Sequence, residues 1–407
     1  MRTLFFLLFI LQLTVLCAQT NPQKEDSLQQ KTEHLKEVVV SGNTILGSKF
    51  EVKNKTGSAS YISEEDLKKF SYTNINRVLQ TVPGINIYEE DGFGLRPNIS
   101  LRGTSPERSA KINLMEDGVL IAPAPYSAPA AYYFPTIGRM QAVEILKGSS
   151  QIQYGPNTTG GALNMISTQI PSIFSGRASI ATGNYGSRNT QLVIGDSYQN
   201  FGFVTDYFNY NSDGFKNLDG GGNTGFDKSD YLAKFRVNSN LDAKMYQSLT
   251  FKIQYSEEEA NESYLGLTDE DFEENPYRRY RASSEDVMNA EHQQYQLTHF
   301  IQLSPSLNIS TTGYLNKFKR NWYKLDDVNL GERVSISNIL SAPQDYPLEY
   351  QTILGNENTQ DDVMGIKANN RVYTSNGVQS IAQLRWGSDW LQTLEAGIRY
   401  HEDDEDR

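Results

Sequence analysis

Between Gly92 and Pro171 glycines recur at the corners of short apolar pieces: Leu101-Arg102-Gly103, Glu116-Asp117-Gly118-Val119, Val143-Glu144-Ile145-Leu146-Lys147-Gly148, Tyr154-Gly155-Pro156 and Gly160-Gly161-Ala162-Leu163-Asn164. Glycine tolerates positive φ and close backbone approach, so this spacing asks for a compact, tightly turned domain. Ser63 with Asp66 three residues later has the form of a capping box and opens a helix through Lys69. Thr73 is the expected cap of a second helix carrying Ile75, Val78 and Leu79 on one face, stopped by Pro83-Gly84. Strands are expected at Ile85–Tyr88, Asn98–Leu101, Ile112–Leu114, Val119–Ile121 and Ala142–Leu146. Residues 57–171 thus read as one α+β domain, large enough for its own core.

From Ser172 the pattern changes to period 2. Leu249, Phe251, Ile253 and Tyr255 alternate with Thr250, Lys252, Gln254 and Ser256; Tyr231, Ala233, Phe235 and Val237 alternate with Leu232, Lys234, Arg236 and Asn238. Tyr295–Leu303 and Leu307–Leu315 repeat the alternation around Ser304-Pro305-Ser306, and Gln379–Trp386 with Leu391–Tyr400 make a last pair. A soluble β-sandwich also alternates. Connection lengths separate the two: those near Gln199-Asn200, Asn238–Ala243 and Ser304–Ser306 are short, whereas Asn211–Ser229, Glu257–Glu291 and Trp322–Gly377 are long. Short and long connections in turn are what a transmembrane barrel with two unlike rims produces, and strands of about ten residues suit it.

The N-terminus agrees with export. Arg2 supplies a positive start, Leu4–Leu16 an apolar core too short to span a bilayer, and Ala18 a small residue at which cleavage is expected, leaving Gln19 first. Cys17 is the only cysteine; lipidation there is disfavoured because Leu16 sits where lipoprotein signals use a small residue, and no disulfide framework is available. A net charge of −12 argues against nucleic acid as a partner. The 24 Tyr and 18 Phe fit aromatic girdles at membrane interfaces. Residues 19–35 are polar, and the β-branched run Glu37-Val38-Val39-Val40-Ser41-Gly42 in that arm is either the first strand of the next domain or a free edge for a partner to pair with. The four histidines are scattered without metal-ligand spacing, and no nucleophilic triad is legible, so neither a metal site nor an enzyme is expected.

Taken in order, the export signal, the arm with Glu37–Gly42, the glycine-cornered domain and the strand array resemble the TonB-dependent outer-membrane receptor family. Leu101-Arg102-Gly103, Asp117-Gly118, Val143–Gly148, Tyr154-Gly155-Pro156 and Gly160–Asn164 look like its successive plug motifs, and Glu37, Val38, Val39, Val40 and Ser41 like its TonB box. Ala122-Pro123-Ala124-Pro125-Tyr126 and the stretch from Arg96 to Arg108 look most like the ferric-citrate receptor branch. The resemblance implies an α+β plug followed by an antiparallel transmembrane β-barrel, divided as 1–18 signal, 19–56 arm, 57–171 plug and 172–407 barrel. Barrels of this kind have 22 strands around a plugged lumen. About ten candidates follow Ser172 by period-2 reading, so a C-terminally truncated fragment with an incomplete wall is expected. Only residues 19–35 precede the box, so no periplasmic signalling domain is expected there.

The same resemblance implies active import of a ferric chelate, iron citrate or another siderophore, with the energy-transducing TonB complex pulling on the arm, outer-membrane lipid as surroundings and no covalently bound cofactor. Haem, cobalamin or an oligosaccharide as ligand remains open, as does a non-transporting adhesin-like protein; a passive porin would need no plug. An anionic chelate suits guanidinium forks, which makes Arg96, Arg102 and Arg108 on plug loops, Tyr126, and Arg278, Arg279, Arg281 and Arg320 on or beside barrel loops the candidate ligand contacts. Arg102 has a competing role, bracing the plug against wall carboxylates. Asp269–Glu274 is acidic enough to consider for Ca²⁺, though a solvated face is the plainer reading.

Overall fold

The computed structural model describes residues 44, 46, 52, 57–70, 73–156, 159–357, 360–388 and 390–406, all within one compact unit. The signal, the box at 37–42 and all of the arm but residues 44, 46 and 52 lie outside the described residues.

The first domain is a five-stranded sheet ordered β1-β6-β7-β4-β5, with a separate β2–β3 hairpin. Its strands are β1 (Ser58–Ile62), β2 (Ile85–Tyr88), β3 (Asn98–Leu101), β4 (Ile112–Glu116), β5 (Val119–Leu120), β6 (Met140–Lys147) and β7 (Gly161–Ser167). The capping box is present: the Asp66 amide donates to Ser63 Oγ (3.3 Å) and the Ser63 amide to Asp66 Oδ2 (3.2 Å), opening α1 (Glu64–Phe70). The cap of α2 (Ile75–Leu79) is Asn74, not Thr73, because the Asn74 side chain accepts from the Asn76 amide (2.8 Å). Asp117 and Gly118 both have positive φ (49° and 77°) and form the two-residue turn of the β4–β5 hairpin. Gly161 has a different reason: a Cβ there would stand 2.2 Å from Leu101 Cδ1, so the close approach of β7 to β3 excludes a side chain. Ile75, Leu79, Ile99, Leu101, Ile112, Leu114, Val143, Ile145 and Leu163 make one core, which Phe318 and Tyr373 join from the second domain.

That second domain is one antiparallel ten-stranded sheet, ordered β19-β18-β16-β15-β13-β12-β10-β9-β8 with β17 paired off β16. The long strands are β8 (Ser175–Thr182), β9 (Arg188–Ser197), β10 (Phe201–Ser212), β12 (Phe226–Asn238), β13 (Tyr246–Asn261), β15 (Val287–Ser304), β16 (Leu307–Asn329), β18 (Met364–Trp386) and β19 (Gln392–Asp406); β11 (Asn217–Leu218), β14 (Arg278–Arg279) and β17 (Arg333–Ser335) are short loop strands. Several strands exceed ten residues, reaching 23 in β16 and β18, so the long connections are shorter than the alternation alone suggests, at 213–225, 262–286 and 330–363. The sheet is open, with β8 and β19 as its ends.

Register sorts the two faces. Thr205, Ala233, Ile253, Tyr295 and Leu315 lie opposite one another on the outward face, as do Phe203, Phe235, Phe251 and Leu297 one step below. One step above is a tyrosine row, Tyr207, Tyr231 and Tyr255, and above it Glu257, Glu291 and Lys319. An apolar belt closed by an aromatic row and then by charge is the outer face of a membrane wall. The inward face carries Lys228, Asp230, Lys234, Lys252, Gln254, His292, Gln294 and Gln296, all buried against the first domain. A soluble sandwich would bury its apolar face, so the alternation here has the transmembrane sense.

Candidate ligand site

Two arginines meet at the outer end of the first domain. Arg108 sits at φ +47° in a single 3-10 turn that Ser109 pins by donating to the Pro97 carbonyl (2.8 Å) and accepting from the Ile99 amide (3.0 Å). The Ala131 amide donates to the Arg108 carbonyl (2.7 Å) and so holds the following aromatic pair, Tyr132-Tyr133, beside it. The Arg108 guanidinium lies 5.2 Å from the Tyr132 ring centre and 6.0 Å from Trp322. From the wall, Arg320 on β16 stacks on the same Tyr132 ring at 3.9 Å. Trp322, two residues further and on the same face, meets Tyr132 edge-on at 6.3 Å, and Tyr264 meets Trp322 at 4.9 Å.

The hydrogen bonding of this cluster is incomplete. Arg108 donates Nη2 to Glu90 (2.5 Å), but its Nη1 and the Nε and Nη1 of Arg320 are buried without a partner. Arg320 is only 3 % exposed. An orphaned donor on a buried cation costs several kcal/mol unless something accepts from it. Cation–π contact with Tyr132 offsets part of that, about 0.5–2 kcal/mol per contact. Arg371 faces Arg320 across the β16–β18 ladder and is paired with Glu405 (2.7 Å), so the cluster keeps two cations with free donors beside a third that is neutralised.

The other candidates are placed elsewhere. Arg96 is buried and ion-paired with Glu258 on β13 and with Glu262 just past its end, a strut between the domains. Arg102 is exposed beside Gly148, and its charge, after burial, helps to lower the Lys147 pKa; the bracing considered for it is carried by Arg96 and Arg139. Tyr126 meets His401 with tilted rings at 4.8 Å and donates its amide to Asp403 (2.8 Å). Arg278 is locked by Asp219 (2.9 Å) and Asp271 (2.6 Å). Arg279 lines a 240 Å³ cavity with Lys216 and Tyr264, and Arg281 lines a second one of 350 Å³ with Asp286 and Gly355. Asp269–Glu274 forms the short helix α3; Asp271 turns inward to accept from Tyr280 (2.5 Å), Thr268 (3.0 Å) and Tyr350, and among the described residues no acidic group gathers into a metal site. Sequence reasoning therefore included Arg108 and Arg320 but missed Tyr132, Trp322 and Arg371. The signal for Trp322 was its period-2 offset from Arg320.

Below the cluster the domains are joined by a buried ionic knot. Arg139 donates twice to Glu116 (2.6 and 3.0 Å), and its Nε stands 3.4 Å from Asp230. Lys252 bridges Glu116 (2.6 Å) and Asp117 (2.8 Å), and Lys234 adds a contact to Asp117 (3.1 Å). Burial alone raises both carboxyl pKa values; Arg139 and Lys252 outweigh it for Glu116, and Lys234 and Lys252 hold Asp117 far below the usual carboxylate range.

Residues 51–162, spanning nearly all of the first domain, match the family model described as the TonB-dependent Receptor Plug Domain. This part of the chain is a TonB-dependent receptor plug. The whole chain is similar in fold to the unliganded ferric citrate transporter FecA, at a TM-score of 0.68 and 18 % identity, covering 88 % of this chain and 49 % of that one. It is likewise similar to the ferric-catecholate import receptor Fiu of E. coli K12 in its open form (TM-score 0.58, 13 % identity, 86 % of this chain and 50 % of that one) and to the siderophore receptor PirA of Acinetobacter baumannii (0.57, 16 %, 87 % and 49 %). The chain spans about half the length of these solved structures. The fold is that of a plug against an incomplete β-barrel wall, as the sequence led one to expect.

Proposed function

We propose that the protein is an outer-membrane receptor that imports an anionic ferric chelate by TonB-coupled active transport, with Arg108 and Arg320 clasping the chelate's oxygens beside Tyr132. The observation that carries this is the pair of guanidinium groups with orphaned donors, one from the plug and one from the wall, flanking a single ring at the outer end. A hydroxy-carboxylate complex offers paired anionic oxygens to which such groups donate bidentately. The likeness to the ferric citrate transporter supports iron citrate as the first chelate to test. In this reading the export signal is cleaved after Ala18, and Glu37–Ser41 is captured as an added strand by the inner-membrane energy complex.

Uptake of radio-iron presented as citrate, hydroxamate and catecholate complexes, in a strain lacking the receptor and in the complemented strain, tests the function. Restoration for an anionic chelate supports it. Equal uptake of all chelates with and without the receptor contradicts it. Deleting Glu37–Ser41 is expected to abolish uptake while leaving chelate binding within twofold; unaltered uptake would remove the box from the account.

A further inference from the structure

The wall does not grip the plug evenly. On β10, β12 and β13 the inward face carries charged side chains bound to the plug: Asp206 to Thr168 (2.5 Å), Lys228 to the Phe134 carbonyl (2.9 Å), Asp230 to the Thr136 amide (3.2 Å), and Lys234 and Lys252 to the ionic knot. On β15, β16 and β18 the inward groups at the same depth are mostly neutral amides and hydroxyls. Gln294, Gln296, Ser310, Asn316, Ser375 and Gln383 each have a buried polar atom with no protein partner, whereas among the described residues no side chain of β10, β12 or β13 does. Among the described residues three amide contacts to plug carbonyls cross this side: Gln296 to Asp117 (3.4 Å), Asn316 to Leu120 (3.0 Å) and Gln379 to Gly118 (3.2 Å).

Six orphaned groups along one face, at about 1–3 kcal/mol each, are not sustainable dry. Water, which bridges two to four polar groups in such places, satisfies them. We propose that the β15–β16–β18 face of the plug is a water-filled seam along which plug and wall part and the imported solute passes, while the β10–β13 face remains the clamped side about which the plug moves. The seam lies beneath the Arg108–Arg320 cluster. Between them is an aromatic layer in which Tyr133 stacks on His292 at 3.7 Å and Phe318 lies 6.0 Å from Tyr373. Tyr133 belongs to the plug, so plug movement itself opens that layer. Neutral hydrogen-bonding groups suit a polar chelate in transit, since fixed charges would hold it. The passage half of this inference rests on the transport reading above; the hydration half does not.

Cys17 is the only cysteine of residues 1–407, so single cysteines are introduced in a background cleared of Cys17 and of any further cysteine in the expressed protein. Ser310→Cys on β16, Ser375→Cys on β18 and Ser256→Cys on β13 replace inward serines of equal burial, 2 %, 0 % and 3 % exposed. In isolated outer membranes a small charged methanethiosulfonate is expected to label Ser310→Cys and Ser375→Cys at least tenfold faster than Ser256→Cys. Equal or slower labelling at both seam positions overturns the hydrated seam. A bulky adduct at Ser375→Cys is then expected to reduce radio-iron chelate uptake at least tenfold with binding affinity unchanged. Full uptake with both seam positions fully modified overturns the passage. If the unmodified single-cysteine proteins take up no chelate, it is the transport reading that fails, and the labelling result still decides the seam.

Discussion

Replacing Lys252 by Met removes the cation that bridges Glu116 and Asp117 while keeping the volume of the side chain. Both carboxylates are essentially unexposed, and the lysine contacts them at 2.6 and 2.8 Å. Each keeps one cationic partner, Arg139 for Glu116 and Lys234 for Asp117, and Asp117 also keeps the Ser167 amide and hydroxyl. Hydrogen bonds to charged groups contribute about 1.5–3 kcal/mol each, and breaking a buried pair costs about 3–5 kcal/mol. Two lost contacts with two surviving cationic partners place the cost near the lower end, about 3 kcal/mol, or roughly a hundredfold in an opening equilibrium. Hydrogen exchange of the β4–β5 amides reads that equilibrium directly. Protection there is expected to fall about a hundredfold, with the β2–β3 hairpin much less affected. Adding Glu116→Gln should recover part of the loss, because it removes one of the stranded charges. A change under threefold in the β4–β5 amides would refute the view that this knot holds the plug to the wall.

Acid should release the same knot late. Glu116 and Asp117 have folded pKa values below their unfolded ones, so their stabilisation is present above about pH 4 and is lost as pH falls through the folded values; β4–β5 exchange protection, corrected for intrinsic rates, should be flat from pH 7 to 5 and drop only in stronger acid. Asp286 behaves oppositely: burial pushes its pKa up to about 6, against backbone amides of Leu325 and Tyr264, so the loops it anchors lose stability as pH rises from about 4 through 6. Limited proteolysis within 262–286 should therefore be slower at pH 5 than at pH 7 after correction for protease activity, and Asp286→Asn should flatten that difference. Phe251→Arg, in the middle of the outward belt, should destabilise insertion by about 2–4 kcal/mol, read from the fraction of folded, heat-modifiable protein in lipid; an unchanged fraction would mean that this face does not meet lipid.

Much of the plug was legible because its signals are local. A capping box, the Asp117-Gly118 turn and all five expected strands, β2 and β3 with the expected bounds, fall where short-range chemistry puts them, and the one helix cap that differs, Asn74 for Thr73, is a competition between neighbouring residues of the same capping class. The wall was legible through period 2, since lipid on one face and plug on the other fix the register. Strand lengths were not, because ladder hydrogen bonds carry β16 and β18 well past the membrane belt, where side-chain alternation weakens. The residues of the proposed ligand site were only half legible. Arg108 and Arg320 are 212 positions apart, as the difference of their numbers gives, and only the docking of β16 on the plug brings both to Tyr132. Arg96 looked equivalent in sequence but is consumed by Glu258, whose inward position depends on the register of β13, and by Glu262 just past that strand.

The most direct test of the central claim is equilibrium binding of ferric citrate and a ferric catecholate to the receptor carrying Arg108→Ala and Arg320→Ala together. Each arginine is expected to contribute about 1.5–3 kcal/mol through charge-assisted bonds, so the double variant should lose at least a hundredfold in affinity for the anionic chelate that the wild type binds best. Exchange protection of β4–β5 should stay as in the wild type, showing that the plug is intact. Unchanged affinity for every chelate that the wild type binds, with the plug folded, would contradict the assignment of the outer arginine pair as the ligand site.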